Sequence, residues 1–148
     1  MRTIFLTSLF VALLVTVLPA NASSPTITGE ISGVEICPQF ICDAAIFQGT
    51  CDCTVNNRHT IGFFWVSIQH DPLSEESAIT GGKWTLTTLR GNFSGNVVDG
   101  TISSNGDNTF TVIATLRLRK GGKGNMIVSG VLDHTDFPPT FEGELVQP

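Results

Sequence analysis

Histidine and aspartate residues occur together in two short segments of the sequence. Asp133-His134-Thr135-Asp136 follows a run of alternating apolar residues, and His70-Asp71 ends another such run. If the fold brought these segments together, two imidazoles and up to three carboxylates would lie at one rim. Such a set could bind zinc and leave one position open to water. It could also supply a base and its orienting carboxylate to a hydrolase.

The same residues have a simpler interpretation. Asp and Thr beside a turn usually accept hydrogen bonds from nearby backbone amides, and the Pro-rich segment that follows is typical of a strand exit. We therefore predict no catalytic residue, no metal site and no cofactor. If the protein is an enzyme, the candidate catalytic residues are His70, Asp71, Asp133, His134 and Asp136.

Two other groups of residues could bind a partner. Residues 60–70 are apolar on both faces, which predicts a strand buried on both sides beneath a covering loop, or else an exposed patch around Phe63 and Trp65. A basic group at the tip of a predicted hairpin could bind an anionic glycan, a lipid headgroup or an acidic protein, although such residues more often protect an edge strand. It consists of Arg117, Arg119, Lys120 and Lys123.

Four cysteines, Cys37, Cys42, Cys51 and Cys53, lie close together in the sequence. An even number in a secreted chain predicts two structural disulfides. Their spacing does not resemble a zinc knuckle. A bond from Cys51 to Cys53 would close a very small ring, so nested or crossed pairs are preferred. Of these, the nested pairing of Cys37 with Cys53 and of Cys42 with Cys51 is favoured.

Alternation of apolar and polar residues dominates the chain after Pro25. In residues 110–119 and 126–132 it predicts two strands, and the glycines between them predict a hairpin turn. Other strands are predicted at residues 26–36, 44–50, 60–70, 83–89, 93–102 and 140–146, with a turn at Gly81-Gly82 and room for one helical turn in residues 71–78. About eight strands predict an all-β fold, either an antiparallel β-sandwich or a small curved β-barrel.

Glycine recurs along these strands and suggests strong curvature. In Phe93-Ser94-Gly95 and Phe141-Glu142-Gly143 an aromatic ring stands on the same face two residues earlier. Glycine weakens a flat strand, so its repetition predicts sharp bends or rings lying across a neighbouring backbone.

The N-terminus has the form of a secretory signal peptide. Arg2 precedes an apolar run from Ile4 to Leu18, and small residues in Ala20-Asn21-Ala22 suit signal peptidase. Cleavage after Ala22 would leave residues 23–148 as one domain. We expect it in an extracellular or periplasmic space, where paired cysteines are usual.

Net charge and hydropathy limit the kinds of partner that we expect. Loss of Arg2 leaves seven basic residues against thirteen acidic ones, a net charge of −6, so nucleic acid is not an expected partner. No later apolar run approaches the roughly 20 residues of a membrane helix. We predict a non-catalytic β domain that binds a small ligand or a macromolecule. The alternatives are a small metal-dependent or His/Asp-based enzyme and a protease inhibitor that presents residues 38–41.

The protein recovered from outside the secreting cell should begin at Ser23. Intact-mass measurement should give the mass of residues 23–148 less two hydrogens for each disulfide. N-terminal sequencing provides the independent check. A retained N-terminal segment, or the mass of the fully reduced chain, would contradict the prediction.

Overall fold

The computed structural model describes residues 24–148, which form eight antiparallel strands and no helix that could cross a membrane. The strands are β1 (Ile27–Cys37), β2 (Ala45–Val55), β3 (Arg58–His70), β4 (Glu76–Thr88), β5 (Gly91–Ser104), β6 (Thr109–Lys120), β7 (Gly124–Asp133) and β8 (Thr140–Val146). Each strand pairs with the next, and β1 also pairs with β8, so the sheet closes into a barrel. The all-β prediction is confirmed, and of the two predicted architectures the structure is the barrel and not the sandwich. The predicted signal peptide, residues 1–22, lies outside the described residues.

The period-two pattern sorts side chains between the inside and the outside of the barrel. On β6, Val112, Ala114, Leu116 and Leu118 are buried, whereas Ile113 between them is exposed. This matches the alternation read from the sequence, because successive side chains of a strand point to opposite faces. Burial of the inward set supplies the main driving force for folding.

The two ends of the barrel differ. We call the end with the β2–β3, β4–β5 and β6–β7 turns the packed end, because large side chains fill it, among them Trp84, Leu86, Leu116, Met126 and Leu145. The cavity end carries the other four loops, residues 38–44, 71–75, 105–108 and 134–139. Its interior is lined by residues such as Ala45 and Val112 and is less completely filled.

Glycines and bulges give the sheet its curvature. Gly130 and Gly143 lie opposite each other, and the ring of Phe141 covers both. A Cβ added at Gly130 would come within 2.7 Å of the Phe141 Cζ atom, too close for any larger residue without a shift. The predicted role of the repeated glycines, to let a ring lie across the backbone, is confirmed here.

The β4 region departs from the sequence prediction. Residues 71–75 form a loop without a helical turn, and β4 begins at Glu76 rather than at residue 83. Gly82 lies inside this strand, not in a turn, at φ +153° and against the carbonyl oxygen of Ser67. The register between β3 and β4 shifts at Gln69 and His70. Glycine therefore marks a bulge in a long strand, where the sequence had suggested a chain reversal.

The disulfide pairing favoured from the sequence is wrong. The structure pairs Cys37 with Cys42 and Cys51 with Cys53. Residues two apart on a strand share a face, so Cys51 and Cys53 both point into the barrel, and their Cα atoms are 5.4 Å apart. The predicted strand at residues 44–50 is also longer, because β2 continues through both cysteines to Val55.

Strand register explains why the favoured pairing is impossible. Cys37 lies opposite Ile46. Cys53 is seven residues further along β2, roughly 23 Å away at about 3.3 Å per residue. A disulfide spans Cα atoms no more than about 7 Å apart.

Disulfide mapping should recover the two local pairs. Pepsin digestion of the denatured, unreduced protein at acid pH limits thiol exchange during the experiment. Cleavage after Phe47 should release the Cys37–Cys42 pair and the Cys51–Cys53 pair on separate fragments, because no bond crosses that position. A fragment that joins the two halves until it is reduced would contradict this pairing.

Candidate functional site

A cavity of about 500 Å³ occupies the cavity end of the barrel. Its wall is mainly apolar and comes from inward positions of β1, β2, β3, β5, β6 and β7, and two loops form its mouth. The lining residues are Glu35, Pro38, Gln39, Phe40, Ala45, Phe47, Ile68, His70, Pro72, Leu73, Ile102, Val112, Leu132 and His134. Three of these, Glu35, His70 and His134, can carry a charge.

Alternation places the three titratable residues on this wall. Glu35 lies two positions beyond Gly33 on the inward face of β1, and His70 lies two beyond the buried Ile68 on β3. His134 directly follows β7, two positions after the buried Leu132. Because these strands all end at the cavity end, the closed sheet brings the residues to one cavity. His70 and His134, named together from the sequence, therefore line the same space.

Glu35 and His134 form the polar centre of the cavity. The Glu35 side chain is only 4% exposed, and its Oε2 atom lies 3.2 Å from Nε2 of His134. The pair has the distance of an ion pair but not the geometry of a hydrogen bond, and no other group in residues 24–148 bonds either atom. Burial raises the pKa of the Glu35 carboxyl and lowers the pKa of the His134 imidazole, because both charged forms lose hydration.

Backbone contacts fix this pair in place. The amide of Glu35 donates to the carbonyl of Pro139 at 2.8 Å, and the amide of His134 donates to the carbonyl of Asn108 at 3.0 Å. The ring of Phe110 packs edge-on against the His134 imidazole, with centroids 5.2 Å apart. Strands β1 and β6 and the two adjoining loops thus hold the polar centre together.

The mouth is built from residues 38–42 and the start of the β3–β4 loop. The side-chain amide of Gln39 accepts from the backbone NH of His70 and donates to its carbonyl, both at 2.8 Å. The Cys37–Cys42 disulfide closes the same loop. His70 itself donates from Nδ1 to the carbonyl of Asp71 at 2.6 Å. Residues 38–42 at the mouth are therefore joined to β3 by the hydrogen bonds of Gln39 and to β1 by the Cys37–Cys42 disulfide.

The nearby aspartates serve the turns. Asp133 accepts from the amide and the hydroxyl of Thr135, and these hydrogen bonds lower the pKa of its carboxyl. Asp136 accepts from the hydroxyl of Thr140 at 3.2 Å, and Asp71 is exposed. None of these three residues lines the cavity. In the described part of the chain, no three His, Cys, Asp or Glu side chains are grouped so as to hold a metal ion.

The two surfaces named from the sequence lie outside the barrel wall. Phe63 is 50% exposed and Trp65 is half-buried, so the expectation of a strand buried on both sides is wrong. The barrel wall is one sheet thick, and no second layer covers the outer side of β3 among residues 24–148.

The basic residues stand away from the cavity. Arg117, Arg119, Lys120 and Lys123 are exposed towards the packed end. They do not protect an edge, because β6 is paired on both sides, with β5 and with β7. That part of the sequence interpretation is wrong, since closure leaves β6 no free edge.

Sequence reasoning missed Glu35. A signal was present, because Ile27, Gly29, Ile31 and Gly33 precede it at a spacing of two. A carboxylate that continues an inward-facing row is unusual, since charged residues are rarely buried without a partner. Only the paired strands show that His134, 99 positions away in the sequence, is its neighbour.

The geometry defines an eight-stranded up-and-down antiparallel barrel with an apolar cavity at one end and a buried Glu–His pair inside it. Comparison with protein-family models, with curated proteins and with solved structures finds no match.

Replacement of Glu35 by Gln should stabilise the fold more at pH 7 than at pH 4. The folded-state pKa of Glu35 is raised above its ordinary value of 4.5, so the stability from its neutral form is full below that value and is lost as pH rises through the folded pKa. Glutamine stays neutral throughout. We expect E35Q to melt a few degrees above the unaltered protein at pH 7, with a smaller difference at pH 4.

Thermal unfolding followed by circular dichroism at both pH values measures this effect. Glu30→Gln is the matched control, because Glu30 lies on the exposed face of the same strand. An E35Q gain that is independent of pH, or one that E30Q reproduces, would contradict the burial of an uncompensated carboxylate.

Proposed function

We propose that this protein binds a small, mainly apolar molecule in the cavity and does not change it chemically. The observation that carries the proposal is the cavity itself, about 500 Å³ with an apolar wall and a few polar groups. Small-molecule sites typically measure about 300–1,000 Å³ and combine an apolar lining with a few polar groups that fix orientation.

The barrel size supports this function. The interior of an eight-stranded barrel is just wide enough to be filled by its own side chains or to hold one small ligand. Here the packed end is filled by its own side chains, with Trp84 and Leu116 each about 1% exposed. The cavity end has room for one small ligand, since its inward positions include the small Ala45 and leave space between Phe47 and Leu132.

The chemistry of the lining favours binding over catalysis. No Ser, Thr, Cys or Lys is among the residues that the structure places around the cavity, so its wall offers no nucleophile of those types. The protease-inhibitor alternative has less support, because Ile41 and Cys42 both donate backbone bonds to Pro38 and fold the segment into a tight turn. The exposed ring of Phe40 belongs to the cavity mouth.

The compartment forms part of the proposal. Two disulfides are compatible with an oxidising environment, and the leader of the sequence has the form of a secretion signal. We propose that the domain works outside the cytoplasm as a carrier or scavenger of its ligand.

A cavity-filling variant should abolish binding of an apolar probe. N-phenyl-1-naphthylamine, whose aryl nitrogen is uncharged at neutral pH, becomes fluorescent in apolar surroundings and should bind the unaltered protein. Leu132→Trp should weaken this binding about tenfold or more, a loss of about 1.4 kcal/mol, because the indole would occupy the space between Leu132 and the opposite wall.

Val131→Trp is the control, because Val131 is 43% exposed on the outer face of the same strand. Near-ultraviolet circular dichroism verifies that both variants fold. Absence of probe binding by the unaltered protein, or an equal loss in the two folded variants, would contradict a ligand site inside the barrel.

A further inference from the structure

Two buried polar atoms in the cavity are left without hydrogen-bond partners. Oε2 of Glu35 and Nε2 of His134 are 3.2 Å apart, and within residues 24–148 neither is hydrogen-bonded to any group. Buried polar atoms are almost always paired, and an unpaired one lowers the stability of the fold. Both residues line the ligand-sized cavity, so a ligand that displaces their side chains slightly can supply the missing partner.

Charge is distributed unequally between the two ends of the barrel. The four loops of the cavity end carry five carboxylates and no Lys or Arg; the carboxylates belong to Asp43, Asp71, Glu75, Asp107 and Asp136. Basic residues border the turns of the packed end, namely Arg58, Arg90, Lys120 and Lys123. A rim of one sign around a low-dielectric cleft concentrates ligands of the opposite sign. The cavity therefore favours a cation and disfavours an anion.

We propose that the ligand is a primary amine on an apolar body, bound as its ammonium ion against the carboxylate of Glu35 and the imidazole of His134. The proposal deepens the proposed function and rests on it. An ammonium group has three donors and no acceptor, so it matches two neighbouring acceptors. The apolar body would lie against Phe47, Ile68 and Val112, which are all in the cavity wall.

The protonation states fit this arrangement. Burial lowers the pKa of His134, so its ring is neutral near pH 7 and Nε2 can accept when Nδ1 carries the proton. A bound ammonium supplies the positive charge that a buried Glu35 carboxylate otherwise lacks, and a charge-assisted hydrogen bond of this kind is stronger than a neutral one. An alcohol offers one donor to the two acceptors, and a carboxylate offers none.

Three naphthalene compounds of matched size test the charge preference on the unaltered protein. 1-Naphthylmethylamine, 1-naphthalenemethanol and 1-naphthoic acid present an ammonium, a hydroxyl and a carboxylate on one apolar body. Calorimetric titration at pH 7 should give the tightest binding for the amine, about tenfold weaker binding for the alcohol and the weakest for the acid. Equal affinities, or a preference for the acid, would overturn the proposal.

Glu35→Gln provides the second test. It should weaken amine binding about tenfold and weaken binding of the alcohol less, because the ammonium loses an opposite charge as well as a hydrogen bond, whereas the hydroxyl loses a hydrogen bond alone. Glu30→Gln, on the outer face of β1, should change neither affinity. Retained binding of the alcohol shows that the E35Q cavity is folded. Full affinity of E35Q for the amine would overturn the proposal.

The same titrations separate this inference from the function on which it rests. If the alcohol and N-phenyl-1-naphthylamine bind while the amine gains nothing, the cavity binds apolar molecules and the amine assignment is wrong. If none of the compounds binds, the small-ligand function fails and the amine assignment fails with it.

Discussion

Hydrogen bonding between β1 and β8 closes the sheet, and the other features of the molecule depend on that closure. Six residue pairs, from Gly29–Leu145 to Val34–Thr140, join the first strand to the last. Closure gives every strand an inner and an outer face, so a simple alternation of residues becomes a division between core and surface. It also leaves no edge strand among the described residues, which removes the usual route to aggregation by strand addition.

The cost of closing so small a barrel appears in its backbone. Strands must bend and shear. Among the described residues they do so at glycines such as Gly82 and Gly143 and at four sites of shifted register, one between β1 and β2, one between β3 and β4 and two between β5 and β6. Large side chains then fill the packed end, whereas small or distant ones leave space at the other end. Bulky packing at one end therefore supplies stability, and the opposite end is free to hold a ligand.

The polar centre depends on closure in two ways, because closure gives the strands an inner face and leaves space at one end of the barrel. Glu35 and His134 occupy inward positions at the ends of β1 and β7, where the wall is otherwise apolar. Burial works against both charged forms, and the carboxylates of the surrounding loops add a negative field. The same geometry that destabilises these groups in isolation makes them strong partners for a ligand that brings its own donors and charge.

Local pattern determined a large part of this protein. The strands, one hairpin and the strong curvature could be predicted, because they depend on residues close together in the chain. The patterns that predicted them are the period of two in residues 110–119, the glycine turn after Lys120 and the rings two residues before Gly95 and Gly143. Closure, strand register and the relation of Glu35 to His134 depend on residues far apart, and no local pattern encodes them. Register alone excluded a bond from Cys37 to Cys53, and the single-layer wall alone left Phe63 exposed. The sequence thus supplied the inward-facing residues, and tertiary pairing decided which of them meet in the cavity.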